Sequence, residues 1–362
     1  MTSSTVRVGV VGTTWYAETH IRNIQSHTGA ELVALVGRNE GKAREVAERY
    51  GIPTVFTDYR DMIGSGSIDA IVIIAPDELH LPITMEALAA GIHVLCEKPL
   101  ATSSADAEAM YSAAVASGLV HMSFFALRNS MHHRYLKTLI DDGYLGRVYT
   151  AQLTLSHGFF RGPGYQWRFD AARGTGALGD LGCYIIDQAR WYVGDIAAVS
   201  ADLANFVERP ADDGAAYTPE NDSALVALRF ENGAHGTLAA NVVAHQAERM
   251  QSNTVTLQGE GGTLELHHTF AGASLRGARD GETEFTEIEI PASAWAGVDP
   301  QRPNEVGQHH SVGDRAFIDA IIGGDILTPD FYDGWRVQQV IEAAFESSTT
   351  QAWAQVAKGQ RA

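Results

Sequence analysis

The pattern of apolar and polar positions changes character once along the 362-residue chain. In the first third, short runs dense in Val, Ile and Leu alternate with longer stretches whose apolar residues recur at helical spacing. Val6–Val11 is apolar apart from Arg7 and Gly9, and similar runs stand at Glu31–Val36, Ala70–Ala75 and Ile92–Cys96, with a further strand at Val120–Phe124. Strands buried on both faces read this way, and their alternation with helices predicts a parallel sheet. Helices are predicted over Ala43–Tyr50, Leu81–Ala90 and Ala105–Ser117; Gly51, Gly91 and Gly118 follow them where a helix stop is expected.

Past Arg128 the parallel rhythm ends. A helix (His132–Asp141), a long strand (Arg147–His157), a loop rich in glycine and aromatics and a second helix from about Gly179 to Val193 come first. Strand-like runs then follow one another with little helix between them, at Ser223–Phe230, Gly236–Val243, Ser252–Gln258 and Thr263–His267. Asn232-Gly233 and Gly259–Gly262 sit between runs as hairpin turns, so this part reads as an antiparallel sheet. Helices at Ser311–Ile322 and Trp335–Ser348 close the chain.

At 45% apolar residues the chain can bury a large core, and its length suggests two domains. No apolar run approaches the roughly 18 residues of a membrane span, and Met1–Arg7 lacks the layout of a secretory signal. A cytoplasmic protein is expected. Cys96 and Cys183 alone make neither a disulfide framework nor a thiolate metal site. Lys plus Arg number 26 against 44 Asp plus Glu, and the net charge of −18 repels phosphate backbones and anionic lipids. Nucleic acid and membrane are therefore not expected partners.

Gly12-Thr13-Thr14-Trp15-Tyr16-Ala17 follows the first strand and opens a helix, where a dinucleotide fold places pyrophosphate on a helix N-terminus. Thr14 replaces the usual middle glycine, while Gly12 keeps the tight turn and Ala17 the close helix packing. After the second strand, where an NAD enzyme normally carries an acid for the ribose hydroxyls, the run is Val36-Gly37-Arg38-Asn39. A missing carboxylate and an available guanidinium tilt the choice between NADP and NAD toward NADP. Arg38 lying on the adenine of either cofactor, or standing as a solvated helix-start charge, is the alternative. The expected architecture is α/β and α+β. An N-terminal Rossmann dinucleotide-binding domain spans residues 1–126, and a C-terminal α/β domain on a large, mostly antiparallel open sheet spans 127–362.

Three further runs carry the chemistry: Ala75-Pro76-Asp77-Glu78-Leu79-His80, Glu97-Lys98-Pro99-Leu100, and the glycine-rich run from Gly174 to Asp187 that contains Asp180-Leu181-Gly182-Cys183-Tyr184. Their order and spacing resemble the glucose-fructose oxidoreductase and inositol dehydrogenase family, Gfo/Idh/MocA. The resemblance covers nearly the whole chain, including Trp167-Arg168-Phe169-Asp170 and the tail from His309 to Ser348. It implies an NAD(P)-dependent oxidoreductase moving a hydride to or from a secondary alcohol or hemiacetal carbon of a sugar, glycoside or polyol. The proton chemistry would fall to Lys98 and Tyr184, a position that family members fill with His or Tyr. Asp180 would polarise a substrate hydroxyl or orient the lysine. Arg128, Trp167 and Arg168 match positions bordering nicotinamide and substrate.

The residues argue the same way without the family. Oxidising a carbinol needs a base for the hydroxyl proton, and reduction needs the same group as acid. A tyrosine with pKa of about 10 needs a nearby ammonium to favour its phenolate. Lys98 stands at the carboxyl end of a parallel strand, where open α/β sheets bind ligands, and Asp180 and Tyr184, four apart on a predicted helix, share a face. The alternative for Tyr184 is a core tyrosine bonded to backbone. Asp187 is either a substrate contact or a structural carboxylate. His80 is expected to order the cofactor loop behind Ala75, Pro76 and Asp77, and His309 or His310 to bond substrate. The pairs His132-His133, His267-His268 and His309-His310 invite a metal, but adjacent histidines on a helix point apart by roughly 100°, and no metal is expected.

The rivals to net dehydrogenation are a redox-neutral enzyme that retains its cofactor (epimerase, eliminase or sugar-sugar oxidoreductase) and a non-enzymatic sensor. The broad face of the second sheet predicts a homodimer or homotetramer.

Overall fold

The computed structural model describes residues 5–211, 214–295 and 297–361. The chain divides into two compact units, the first running to Phe125 and taking in Asn304–Trp335 and Arg361, the second holding Ala126–Pro303 and Arg336–Gln360. The sequence pattern expects domains over 1–126 and 127–362, whereas the compact units group Asn304–Trp335 with the first. Helical periodicity cannot say which core a late helix joins.

The first unit alternates strands and helices: β1 (Val6–Val11), α1 (Trp15–Gln25), β2 (Ala30–Val36), α2 (Glu40–Tyr50), β3 (Thr54–Phe56), α3 (Tyr59–Gly64), β4 (Ala70–Ile73), α4 (His80–Ala89), β5 (His93–Glu97), α5 (Ser104–Ser117) and β6 (His121–Phe124). All six strands are parallel, in the order β3-β2-β1-β4-β5-β6. That order reverses direction between β1 and β4, and the carboxyl ends at such a switch point form the ligand crevice of doubly wound folds. Ile71, Val72 and Ile73 of β4 and Val94, Leu95 and Cys96 of β5 are fully buried, as strands covered on both faces must be. Gly51 and Gly118 end α2 and α5 in the left-handed conformation, the stops read from the sequence.

The second unit opens with α6 (Met131–Asp141), β7 (Val148–His157) and α7 (Cys183–Tyr192), then β8 (Ile196–Ala204), β9 (Ser223–Phe230), β10 (His235–Asn241), β11 (Gln251–Gly259), β12 (Gly262–Thr269), β13 (Gly272–Arg279), β14 (Thr286–Glu287) and α8 (Ala292–Trp295). After it come α9 (Val306–His309), α10 (Asp314–Gly323), α11 (Phe331–Thr350) and β15 (Ala354–Gln355). The nine strands form one sheet in the order β14-β13-β12-β11-β7-β10-β9-β8-β15, antiparallel except where β7 and β10 run parallel. Ala151, Leu153 and Leu155 of β7 are buried, while Gln152 and Thr154 alternate onto the other face. There Thr154 bonds Thr254, Thr150 donates to Gln258, and Leu225 stands 56% exposed.

Candidate active site

In the first unit the sequence-predicted cofactor residues line the carboxyl edge of the sheet. Gly12 adopts φ +136°, and a Cβ there would meet the Ile74 carbonyl oxygen at 2.5 Å, so only glycine fits the turn between β1 and α1. Its N–H donates to the Val36 carbonyl at 3.0 Å. Thr14 caps α1, its hydroxyl accepting from the Ala17 N–H at 3.4 Å, and Ala17 is fully buried. A Cβ on Gly37 would meet Thr13 Cγ2 at 2.6 Å and Ala43 Cβ at 2.9 Å, so the ends of β1 and β2 approach each other closely. These cradles fit a dinucleotide: an open helix N-terminus for pyrophosphate beside a ribose-side turn without bulk. Trp15, 72% exposed, stands at the mouth of that turn, and Arg38 is exposed just before the Asn39 cap of α2.

Lys98 follows β5. His80 is buried, with Nδ1 2.9 Å from the Pro99 carbonyl oxygen and Nε2 3.0 Å from that of Ala75. It therefore lies between the Ala75 carbonyl and the carbonyl of the residue after Lys98. Burial lowers its pKa, the nearby carbonyls only partly offsetting that. His309 and His310 lie in the segment that joins this first unit, at the end of α9, where Gly307 approaches Asn23 of α1 so closely that a Cβ would come within 2.9 Å.

The second unit carries the other predicted residues. Leu178–Gly182 is a π-helical turn rather than the start of an α-helix, and α7 begins only at Cys183. A turn closed by i→i+5 bonds holds about 4.4 residues, so Asp180 and the half-buried Tyr184 keep nearly the same bearing on the axis. Such turns recur at functional sites because they re-aim the side chains they carry. Arg168 donates to Asp180 at 3.3 Å and lies over the Trp167 ring at 4.4 Å, which brings three predicted residues together. Arg128 forms a two-pronged pair with Asp187, at 2.7 and 2.6 Å, and lies 5.1 Å from the Trp191 ring. Asp187 is 1% exposed, and both its oxygens accept from Arg128, the geometry of the structural alternative.

The histidine pairs part company. His133 is buried with Nδ1 2.8 Å from the Tyr192 hydroxyl and Nε2 3.2 Å from Nδ1 of His268, while His132 meets the Trp295 ring edge-on. Among the described residues no three His, Cys, Asp or Glu side chains form a metal-binding group. Burial, then the neighbouring His132 and His267, pushes His268 down to about 4, and burial with the same kind of neighbours holds His133 well below its usual value. The folded state thus favours neutral imidazoles, whose contribution is full above the unfolded pKa of about 6.5 and is lost as pH falls toward about 4. A His268→Asn variant is expected to lose less stability than the parent between about pH 7 and about pH 5 in denaturant titrations; equal losses would exclude this cluster as the source.

Comparison with known proteins follows the same division. Residues 6–125 match the model of the oxidoreductase family with NAD-binding Rossmann fold, and residues 133–265 match the GFO/IDH/MocA C-terminal domain. The chain belongs to the Gfo/Idh/MocA family. It is an NAD(P)-dependent oxidoreductase acting on CH–OH groups. It is 31% identical to levoglucosan dehydrogenase of Pseudarthrobacter phenanthrenivorans over 88% of this chain and 87% of that one. It is 27% identical to D-glucoside 3-dehydrogenase of Escherichia coli over 97% of each. The solved structure of levoglucosan dehydrogenase with NADH and levoglucosan superposes with TM-score 0.86 at 25% identity, covering 98% of this chain and all of that one. No helix among the described residues is long and apolar enough to cross a membrane.

Sequence reasoning missed His20, Asn23 and Asp314. The signal was a histidine at a core position of α1: Ala17, Ile21 and Ile24 share its buried face.

Proposed function

We propose that the protein is a dehydrogenase for a secondary alcohol or hemiacetal carbon of a sugar, glycoside or polyol, with Lys98 and Tyr184 handling the hydroxyl proton. The observation that carries this reading is the placement of Lys98 at the carboxyl end of β5, at the ligand edge of a six-stranded parallel sheet in the doubly wound order. The named activities of the relatives, on levoglucosan and D-glucosides, support the substrate class. When bound, nicotinamide supplies the hydride acceptor or donor. Gly12, Thr13, Thr14 and Trp15 hold its pyrophosphate side, Gly37 and Arg38 its adenosine ribose, and the Ala75–Asp77 loop with His80, Glu97 and Lys98 its nicotinamide side. Tyr184 takes or returns the substrate proton, Asp180 with Arg168 and Trp167 orients the sugar, and Asp187 anchors Arg128. His309 and His310 are further substrate contacts on this reading.

The test is a panel of levoglucosan, methyl glucosides, free sugars and inositols, assayed with NAD+ and NADP+ separately by nicotinamide absorbance. Turnover of none of them, with either cofactor, would sink the reading. Cofactor that co-purifies and resists exchange would favour the redox-neutral rival instead. We assign NADP as the preferred cofactor because Arg38 stands where a carboxylate would repel the 2′-phosphate. Arg38→Ala is expected to lower kcat/KM for NADP+ about tenfold, the worth of one charge-assisted hydrogen bond, and to leave NAD+ within about twofold. An equal effect on both would show that Arg38 does not read the phosphate.

The Thr- and Ser-rich face of the second sheet, with exposed Leu225, suits a second copy of the chain. A homodimer or homotetramer is expected by light scattering, and a monomer would refute it.

A further inference from the structure

The first unit buries a charged relay that neither its core nor the proton chemistry requires by itself. His20 sits midway along α1 with no exposed surface. Its Nδ1 is 2.7 Å from Asp314 at the start of α10, and its Nε2 is 3.1 Å from Glu97 at the end of β5. Asn23, one turn further along α1, donates to the second oxygen of Asp314 at 2.9 Å. Glu97 and Asp314 are 5% and 1% exposed, so three ionisable groups from three elements meet out of water. Burial works against the imidazolium, but Asp314 and then Glu97 outweigh it and hold the ring charged, with its pKa raised to about 10. Phe124, with its ring centre 4.4 Å from the imidazole, and Tyr16, edge-on at 5.4 Å, wall the relay in.

Stability alone does not account for such a cluster. Replacing buried ion pairs by apolar side chains of similar size is commonly neutral or favourable, and His20 shares its buried helix face with Ala17, Ile21 and Ile24 as well as with Asn23 of the cluster. What distinguishes the cluster is its end point. The second oxygen of Glu97 accepts the backbone N–H of Lys98 at 3.2 Å. The relay thus runs from Asp314 through His20 and Glu97 to the main chain of Lys98. At its other end α1 begins at Trp15 behind its Thr14 cap, directly after the glycine turn. On the far side of Lys98, His80 approaches the Pro99 carbonyl oxygen. Lys98 thus lies between the Glu97 carboxylate that His20 contacts and the Pro99 carbonyl beside His80.

We propose that His20, backed by Asp314, is a positioning residue for Lys98: it fixes Glu97, and through it the Lys98 main chain, at a set distance from the α1 turn that receives the cofactor. The inference rests on the reading of Lys98 as a catalytic residue. An apolar residue at position 20 would fill the space but leave the lysine without a fixed bearing on the cofactor turn. Positioning to within about an ångström is worth up to about 10²-fold in rate.

The test is a double-mutant cycle on the full-length protein, combining His20→Gln with Lys98→Ala. Its readouts are NADH affinity by fluorescence titration, kcat on the best sugar of the panel, and the melting temperature. In the parental background His20→Gln is expected to lower kcat and weaken NADH binding by about tenfold each. In the Lys98→Ala background the same change should alter both by less than about twofold, while the melting temperature drops equally in the two. Equal losses of rate and affinity in both backgrounds would overturn the proposal and leave a purely structural histidine. If Lys98→Ala alone leaves rate and NADH affinity at parental values, the reading of Lys98 falls and the proposal with it, a distinguishable result. Should His20→Gln fail to fold, Asp314→Asn keeps the shape of the cluster and removes one charge. It is expected to give the same pattern at about threefold, and a folded Asp314→Asn protein with parental kcat and NADH affinity would equally overturn the proposal.

Discussion

Lys98→Ala and Tyr184→Phe are each expected to lower kcat by about 10²-fold or more, the ordinary cost of losing an acid-base group. The two losses should differ in kind. A hydride cannot leave a carbinol carbon productively unless the hydroxyl proton leaves as well, and a phenol with pKa near 10 is a weak base until a cation favours its ionised form. On the proposed relay Tyr184→Phe removes the proton acceptor and should leave NADH affinity unchanged. Lys98→Ala removes the ammonium and also a side chain at the ligand edge of the sheet, so NADH binding should weaken with it. Steady-state kinetics with the best sugar of the panel, together with NADH fluorescence titrations, separate these outcomes. Parental turnover in both variants would remove the proton chemistry from these residues.

The sequence disclosed those parts of the molecule that are governed by local rules. The parallel sheet was legible because β1, β2, β4 and β5 are nearly continuous apolar runs, and the helix stops because Gly51 and Gly118 take backbone angles that other residues avoid. Boundaries moved where the signal was weak. The three-residue strand β3 is too short to show a period, and α11 begins at Phe331 rather than Trp335. The π-helical turn at Asp180 was not legible either, since a widened turn leaves no mark on apolar spacing, although Asp180 and Tyr184 keep a common side despite it.

What escaped the sequence depends on contacts between distant residues. His20 and Asp314 lie 294 positions apart, and Arg128 and Asp187 lie 59 apart; no periodicity relates such pairs. The return of Asn304–Trp335 to the first unit belongs to the same class, and it moves His309 and His310 into the unit that holds Lys98. The candidate residues were therefore identifiable singly, while their partnerships required the fold. Asp187 is the plainest case: a carboxylate in a family-like run invites a substrate role, and only the fold shows that both its oxygens accept from Arg128.

That pair sets a large stability effect for a single substitution. Arg128 and Asp187 side chains are 10% and 1% exposed, and the guanidinium is held by two parallel bonds and by the Trp191 ring. Asp187→Ala would take both of these bonds from the buried Arg128 guanidinium, and breaking comparable buried pairs costs about 3–5 kcal/mol. Removing both charges with volume kept, as in Arg128→Met with Asp187→Leu, should recover most of that loss, since replacing a whole buried ion pair by apolar side chains costs far less than removing one partner. Denaturant titrations of the parent, the single and the double variant measure this directly. A loss below about 1 kcal/mol in Asp187→Ala would mean that the pair does not hold α7 against the turn carrying Arg128. Activity then distinguishes anchoring from contact. If Arg128 borders the nicotinamide, the double variant regains its stability without regaining kcat, because the folding penalty and the lost guanidinium are separate consequences of the same two side chains.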